Sequence, residues 1–195
     1  MKTIKEEIKS KFIVNKSEFI TIIQKVYDVN YVEQILDKIK NEYKDATHYC
    51  FAYVIDNIKK ASDDKEPSGT AGIPILNVLI KNDMNYVIAI VVRYFGGIKL
   101  GAGGLTRAYT RAVSDCLKEN NKSIAAVTHG YEIIINVEYE KQKELDYLLK
   151  EEFYTKEYKE RVKYIIKCSE KTKNILENKY QILDIKNAII EKESP

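Results

Sequence analysis

The segment Arg93-Tyr94-Phe95-Gly96-Gly97-Ile98-Lys99-Leu100-Gly101-Ala102-Gly103-Gly104-Leu105-Thr106-Arg107 sets five glycines among fixed positive charges. An apolar strand that runs through glycines into an amphipathic helix points free backbone N–H groups at one place. The helix dipole there favours an anion. The candidate anion- or nucleic-acid-binding set is therefore Arg93, Tyr94, Gly96, Gly97, Lys99, Gly101, Gly103, Gly104, Arg107 and Arg111. Arg107 and Arg111, four apart, share a helix face and could meet one anionic surface. The same glycines would also serve a plain strand-to-helix turn with close packing. Two nucleotide motifs fail here. Gly96 to Gly101 has P-loop spacing, but Ala102-Gly103 stands where Lys and Ser/Thr must hold phosphate and Mg²⁺. Gly101-Ala102-Gly103 continues to Thr106 where a dinucleotide fingerprint needs glycine.

A second segment, Ser62-Asp63-Asp64-Lys65-Glu66-Pro67-Ser68-Gly69-Thr70, places three carboxylates before a hydroxyl-rich turn. Oxygen ligation of a cation or acid/base work is conceivable, with His48, Asp64, Glu66, Ser68 and Thr70 as accessory residues. The spacing is not that of an EF-hand, and the bland reading has these carboxylates capping a turn or pairing with the arginines. His48 and Cys50 share a strand face. A nucleophilic pair would need a lowered thiol pKa, and a Cys in an apolar strand is more often an inert hydrophobe. No metal site and no cofactor are expected: Cys50, Cys116 and Cys168 lie far apart and no C-x-x-C pair exists.

The elements that must position these residues follow from periodicity. Lys11–Ile22 holds strand-like stretches (Phe12 and Val14, then Phe19 to Ile23), Tyr31–Ile39 reads as a helix with Val32, Ile35, Leu36 and Ile39 inward, and Thr47–Ile55 as β-rich. Residues 56–72 read as a polar loop. Ile73–Ile80 and Tyr86–Tyr94 are apolar, β-branched runs, predicted to be adjacent buried strands joined through Asn82 and Asp83. Gly96–Gly104 reads as a loop and Leu105–Lys118 as a helix. Asn120–Thr128 is short and polar and is taken as a connector. Beyond it the pattern gives a strand at Tyr131–Tyr139, a helix at Glu140–Glu152, a hairpin at Phe153–Tyr158 and Val162–Cys168, a helix at Thr172–Tyr180 and a strand at Gln181–Ile185. That order is ferredoxin-like.

Composition bounds the function. The 195 residues are 45% hydrophobic and 31% charged, enough for packed cores. The net charge of +3 is uneven. Residues 1–127 hold 19 Lys and Arg against 15 Asp and Glu, and Met84 to Ser114 holds no acid but three of the four arginines. Apolar runs such as Val87 to Val92 fall far short of a bilayer span. The start lacks an apolar signal segment and the cysteines are few, so a cytoplasmic protein with no membrane contact is expected.

Three stretches together resemble the YigZ/IMPACT family in its bacterial two-domain form: Ala46-Thr47-His48, Asp63 through Gly72, and Val92 through Tyr109. The resemblance covers about residues 10–118, while the remainder matches in element order. It implies an α+β protein: a ribosomal protein S5 domain 2-like N-terminal domain over residues 1–125, then a small ferredoxin-like domain over 128–195. That pair is similar to domains IV and V of the translocation elongation factor. The resemblance brings no established catalytic residues, and eukaryotic relatives are linked to translational control. The family usually has Gly where this chain has Lys65. The expectation is a non-catalytic RNA- or ribosome-binding protein acting in translation or its regulation. The alternatives are an enzyme on a small phosphorylated or nucleotide ligand, and a protein-interaction module using the C-terminal sheet. Neither the partner's identity nor the oligomeric state is legible.

Overall fold

The computed structural model describes residues 1–191 and divides into two units, Met1–Ala126 and Val127–Pro195. The first unit contains β1 (Lys2–Ile4), β2 (Ile8–Val14), β3 (Ser17–Lys25), α1 (Val32–Glu42), β4 (His48–Ile55), β5 (Ile58–Ser62), α2 (Gly72–Lys81), β6 (Val87–Tyr94) and α3 (Gly101–Glu119). Five strands form an antiparallel sheet in the order β2-β3-β6-β4-β5.

Central β6 is buried along almost its whole length, which explains its unbroken apolar run. Its alternate residues divide between two cores. Val87, Ala89 and Val91 pack with residues of α2 and α3, such as Ile75, Leu79, Leu105 and Ala112. Ile88, Ile90 and Val92 pack on the other face with Val32 and Ile39 of α1. Each fully buried Ile or Val contributes about 1.5–3 kcal/mol, so this strand anchors the unit. The alternation continues to Arg93, and the register sets Arg93 beside both Phe19 of β3 and His48 of β4. A charged residue is thereby carried to the inner face at the end of the sheet.

The predicted strand at Ile73–Ile80 is a correction: the segment is helix α2. Ile75, Val78 and Leu79 are buried while Ile73 and Ile80 are exposed, a helical stripe that a continuous apolar run conceals. Pro74 falls in the first turn, where no intrahelical N–H is needed. The predicted polar loop 56–72 contains β5, an edge strand. Helix α3 begins at Gly101, earlier than the predicted Leu105, so three glycines lie in its first turn.

The connector at Asn120–Thr128 is a further correction. After a 3-10 turn at Asn121–Ser123, β7 (Ile124–Val137) begins directly, and Ile124, Ala125 and Ala126 pair with β1. Alternating burial of Ala125 and Val127 is the signal that the polar flanks hid.

The second unit continues β7 through α4 (Gln142–Leu148), β8 (Phe153–Tyr158), β9 (Val162–Cys168), α5 (Glu170–Lys179) and β10 (Ile182–Glu191). Its antiparallel sheet has the order β10-β7-β9-β8. Ile133, Ile135, Val162, Tyr164 and Ile166 from the sheet pack with Leu145 and Leu176 from the helices. The chain is thus a mixed α+β protein. No helix among the described residues is long and apolar enough to cross a membrane.

Candidate functional site

The two chemistry-bearing segments meet at the end of the first sheet, and they form two layers. The inner layer is a buried ion pair. Arg93 Nη1 donates to Glu66 Oε1 at 2.5 Å, with the two side chains 5% and 4% exposed. Tyr109, fully buried on α3, donates its hydroxyl to the same oxygen at 2.8 Å. Burial first, then the neighbouring Cys50 and Glu66, push the Tyr109 pKa far above the usual phenol range, so this donor keeps its proton. Arg93 Nη2 reaches Ser17 Oγ at 3.3 Å. Its guanidinium lies between Phe19 and Phe95, 5.3 and 5.5 Å from the ring centroids.

His48 stands beside this pair. Its Nδ1 lies 2.8 Å from the Asp64 carbonyl, an acceptor only, so that nitrogen carries the proton. Its Nε2 lies 3.8 Å from Glu66 Oε1. Cys50 is fully buried, donates to the Asp63 carbonyl at 3.0 Å and lies 3.3 Å from the Tyr109 hydroxyl. Burial pushes its thiol up to about 12, so at neutral pH the nucleophilic thiolate is absent.

The carboxylates of the 63–70 loop are all engaged. Asp63 accepts the backbone N–H groups of Gly69, Ala71 and Gly72 at 2.8–2.9 Å and thereby caps α2. Burial opposes its ionisation, but these three donors outweigh burial and hold the carboxyl below the ordinary carboxylate range. Asp64 Oδ2 accepts from the Tyr49 amide at 2.7 Å. Thr70 is buried and donates to the Pro67 carbonyl at 2.6 Å, while Ser68 is exposed. Among the described residues, no three His, Cys, Asp or Glu side chains gather where they could hold a metal ion.

The outer layer is the glycine loop. Gly96 passes so close to the backbone of Lys16 and Ser17 that a Cβ there would overlap the Lys16 carbonyl. Its N–H donates to Ser17 Oγ at 3.1 Å, and the Phe95 N–H donates to Thr47 Oγ1 at 2.9 Å. Gly97 adopts φ +83°, a left-handed conformation that favours glycine. Helix α3 then starts with no side-chain cap and no acid in its first turn. Lys99, Gly101, Gly103 and Arg107 are exposed, and Gly104 is half-buried. Among the described residues, neither Lys99 nor Arg107 has an ion-pair partner.

The expected set therefore splits. Arg93, expected to face an anion, is a correction: it is buried and neutralised by Glu66. Tyr94 is half-buried with its hydroxyl bonded to the Lys44 carbonyl, and Tyr109 is buried, so the Tyr109 ring is closed to stacking and the Tyr94 ring is partly covered. Arg111 is exposed but holds Asp115 at 2.9 Å and lies over Phe12. Sequence reasoning missed Ser17, Thr47 and Lys16. Ser17 was findable, because it occupies an inward position of the alternation that continues through Phe19 and Ile23.

Residues 15–117 match the family model of the Impact N-terminal domain. Over 118 residues the chain is 49% identical to the IMPACT family member YvyE of Bacillus subtilis, covering 59% of this chain and 54% of that protein. Over 122 residues it is 39% identical to the IMPACT family member YigZ of Escherichia coli, covering 60% and 57%. The matches thus span just over half the length of these relatives. One solved structure, described as that of a hypothetical protein, aligns over 93% of this chain and 95% of its own, with a TM-score of 0.65 and 27% identity.

Proposed function

The chain belongs to the IMPACT family, and from that premise we propose that it is a non-catalytic RNA- or ribosome-binding protein of the cytoplasm, acting in translation or its regulation. The contact surface is the glycine loop and the first turns of α3. The observation that carries this reading is the pair Lys99 and Arg107, exposed and without ion-pair partners beside an uncapped helix N-terminus, in a stretch without any acid. Free cations and open N–H groups are what phosphates need. In contrast, Cys50 and Glu66 are buried and bonded, and His48 and Asp64 are half-buried and held by backbone groups, which weighs against an enzyme. The resemblance to a ribosomal protein S5 domain 2-like domain joined to a ferredoxin-like domain accords with this role. For the ferredoxin-like part, the support is the order strand, helix, strand, strand, helix, strand over residues 128–191.

The test is a salt titration of binding. Arg93 is removed from the contact set, and Lys99, Arg107 and Arg111 remain. The exposed Arg111–Asp115 pair is worth only about 0–1 kcal/mol, so Arg111 can exchange its carboxylate for a phosphate. Three neutralised phosphates on a single strand give a log–log salt slope of about −2. Lys99→Ala with Arg107→Ala should leave about −0.7 and weaken all sequences alike. A double variant with the parent's affinity and slope refutes the reading.

A further inference from the structure

We propose that Phe95 is a stacking platform for an unpaired base of single-stranded RNA, a refinement that rests on the RNA-binding reading above. Four rings occupy the basic window; the fold buries Tyr109 and half-buries Tyr86 and Tyr94. Phe95 alone is presented, with 44% of its surface exposed. It is also held firmly. Its N–H is tied to Thr47 Oγ1, and the next residue is clamped against Ser17. Behind the ring sits the Arg93 guanidinium at 5.5 Å, backed in turn by Phe19 at 5.3 Å and by Phe12, whose ring stacks on Phe19 at 5.2 Å. This backing leaves the ring's other side to solvent. A side chain fixed in this way loses little conformational freedom on binding.

The surroundings point to nucleic acid rather than to an apolar protein partner. Lys99 follows four residues later, within about 14 Å by chain length, and the Arg107 guanidinium lies close to Gly103 in the first turn of α3. A base on Phe95 would therefore place its backbone near unpaired cations. In a duplex both faces of every internal base are already stacked, so a ring platform selects for single strands.

The experiment uses the full chain with a fluorescein-labelled 12-nucleotide RNA, presented as a single strand and as a duplex with its complement, read by fluorescence anisotropy. The parent should prefer the single strand. Phe95→Leu should weaken single-strand binding about 5- to 100-fold and leave duplex binding within about twofold. Phe95→Tyr, which keeps the ring, should retain single-strand affinity. Both variants alter an exposed side chain, and an unchanged thermal unfolding midpoint confirms the fold. Phe95→Leu binding the single strand as the parent does, while Lys99→Ala/Arg107→Ala loses it, overturns the platform and spares the RNA-binding reading. A parent that binds neither form overturns both.

Discussion

Removing the Glu66 carboxylate should destabilise the N-terminal unit severely, and removing its partner as well should largely undo the damage. In Glu66→Leu the Arg93 guanidinium stays buried without a counter-ion, and the Tyr109 hydroxyl loses its acceptor. Breaking a buried pair from one side costs about 3–5 kcal/mol. With a urea m-value of about 2 kcal/mol/M, a loss of 4 kcal/mol lowers the unfolding midpoint by about 2 M. In the double variant Glu66→Leu/Arg93→Met no buried charge remains. Ser17 and Tyr109 each lose a hydrogen bond worth about 1 kcal/mol, and replacement by apolar groups of similar volume is otherwise near neutral. The double variant should therefore be about 1–2 kcal/mol below the parent, a coupling of roughly 3 kcal/mol or more across the cycle. Urea unfolding followed by circular dichroism reads the midpoints, and hydrogen exchange of the β6 amides assigns the loss to the unit holding the pair. A Glu66→Leu midpoint within about 0.3 M of the parent, or losses in Glu66→Leu and Arg93→Met that simply add in the double variant, would refute the argument.

Two other substitutions follow from the same loop. Lys65 has φ +70° and Asp64 φ +37°, and a non-glycine residue in this region costs about 1–2 kcal/mol. Lys65→Gly, less the extra entropy of an unfolded glycine, should stabilise the chain by about 0.5–1 kcal/mol, seen as a higher thermal midpoint; a lower midpoint would show that the Lys65 side chain has a role of its own. Asp63→Ala should cost about 0.5–2 kcal/mol through loss of the α2 cap. Because the folded Asp63 pKa lies below its unfolded value, its contribution is complete above the ordinary carboxylate range and disappears as pH falls through the depressed folded value. The parent and Asp63→Ala should therefore converge in stability toward the acid limb, and a gap that persists unchanged below that range would refute the assignment.

What the sequence revealed and concealed follows from which interactions are local. The inner strands of the first sheet, helix α1 and the whole order of the second unit were legible, because their apolar residues recur with periods set by neighbouring backbone, whereas the exposed edge strand β5 was not. Ile73–Ile80 was misread because seven of its eight residues are apolar or proline, which erases the difference between a buried strand and a buried helix. The site suffered from the opposite difficulty. The residue types of Arg93, Glu66, His48 and Tyr109 were visible, but their convergence depends on the register of β3, β6 and β4 and on the return of the 63–70 loop. No spacing along the chain records that register. Arg93 thus read as a cation available to a ligand, although strand alternation from Val87 placed it inward and could have raised the question.

That inward placement gives the outer layer its meaning. Phe95 follows directly on the end of β6 at Tyr94; the chain turns at Gly96, pinned by Ser17, and the Phe95 ring stays over the Arg93 guanidinium. The neutralised arginine acts as a floor for the exposed ring, and the same Ser17 hydroxyl bonds both the floor and the loop. Because Glu66 satisfies Arg93 from within, the exposed cations of this stretch that have no ion-pair partner among the described residues are Lys99 and Arg107, beside the exposed Phe95 in sequence. This arrangement suits a ligand that carries a flat face and an anionic backbone together.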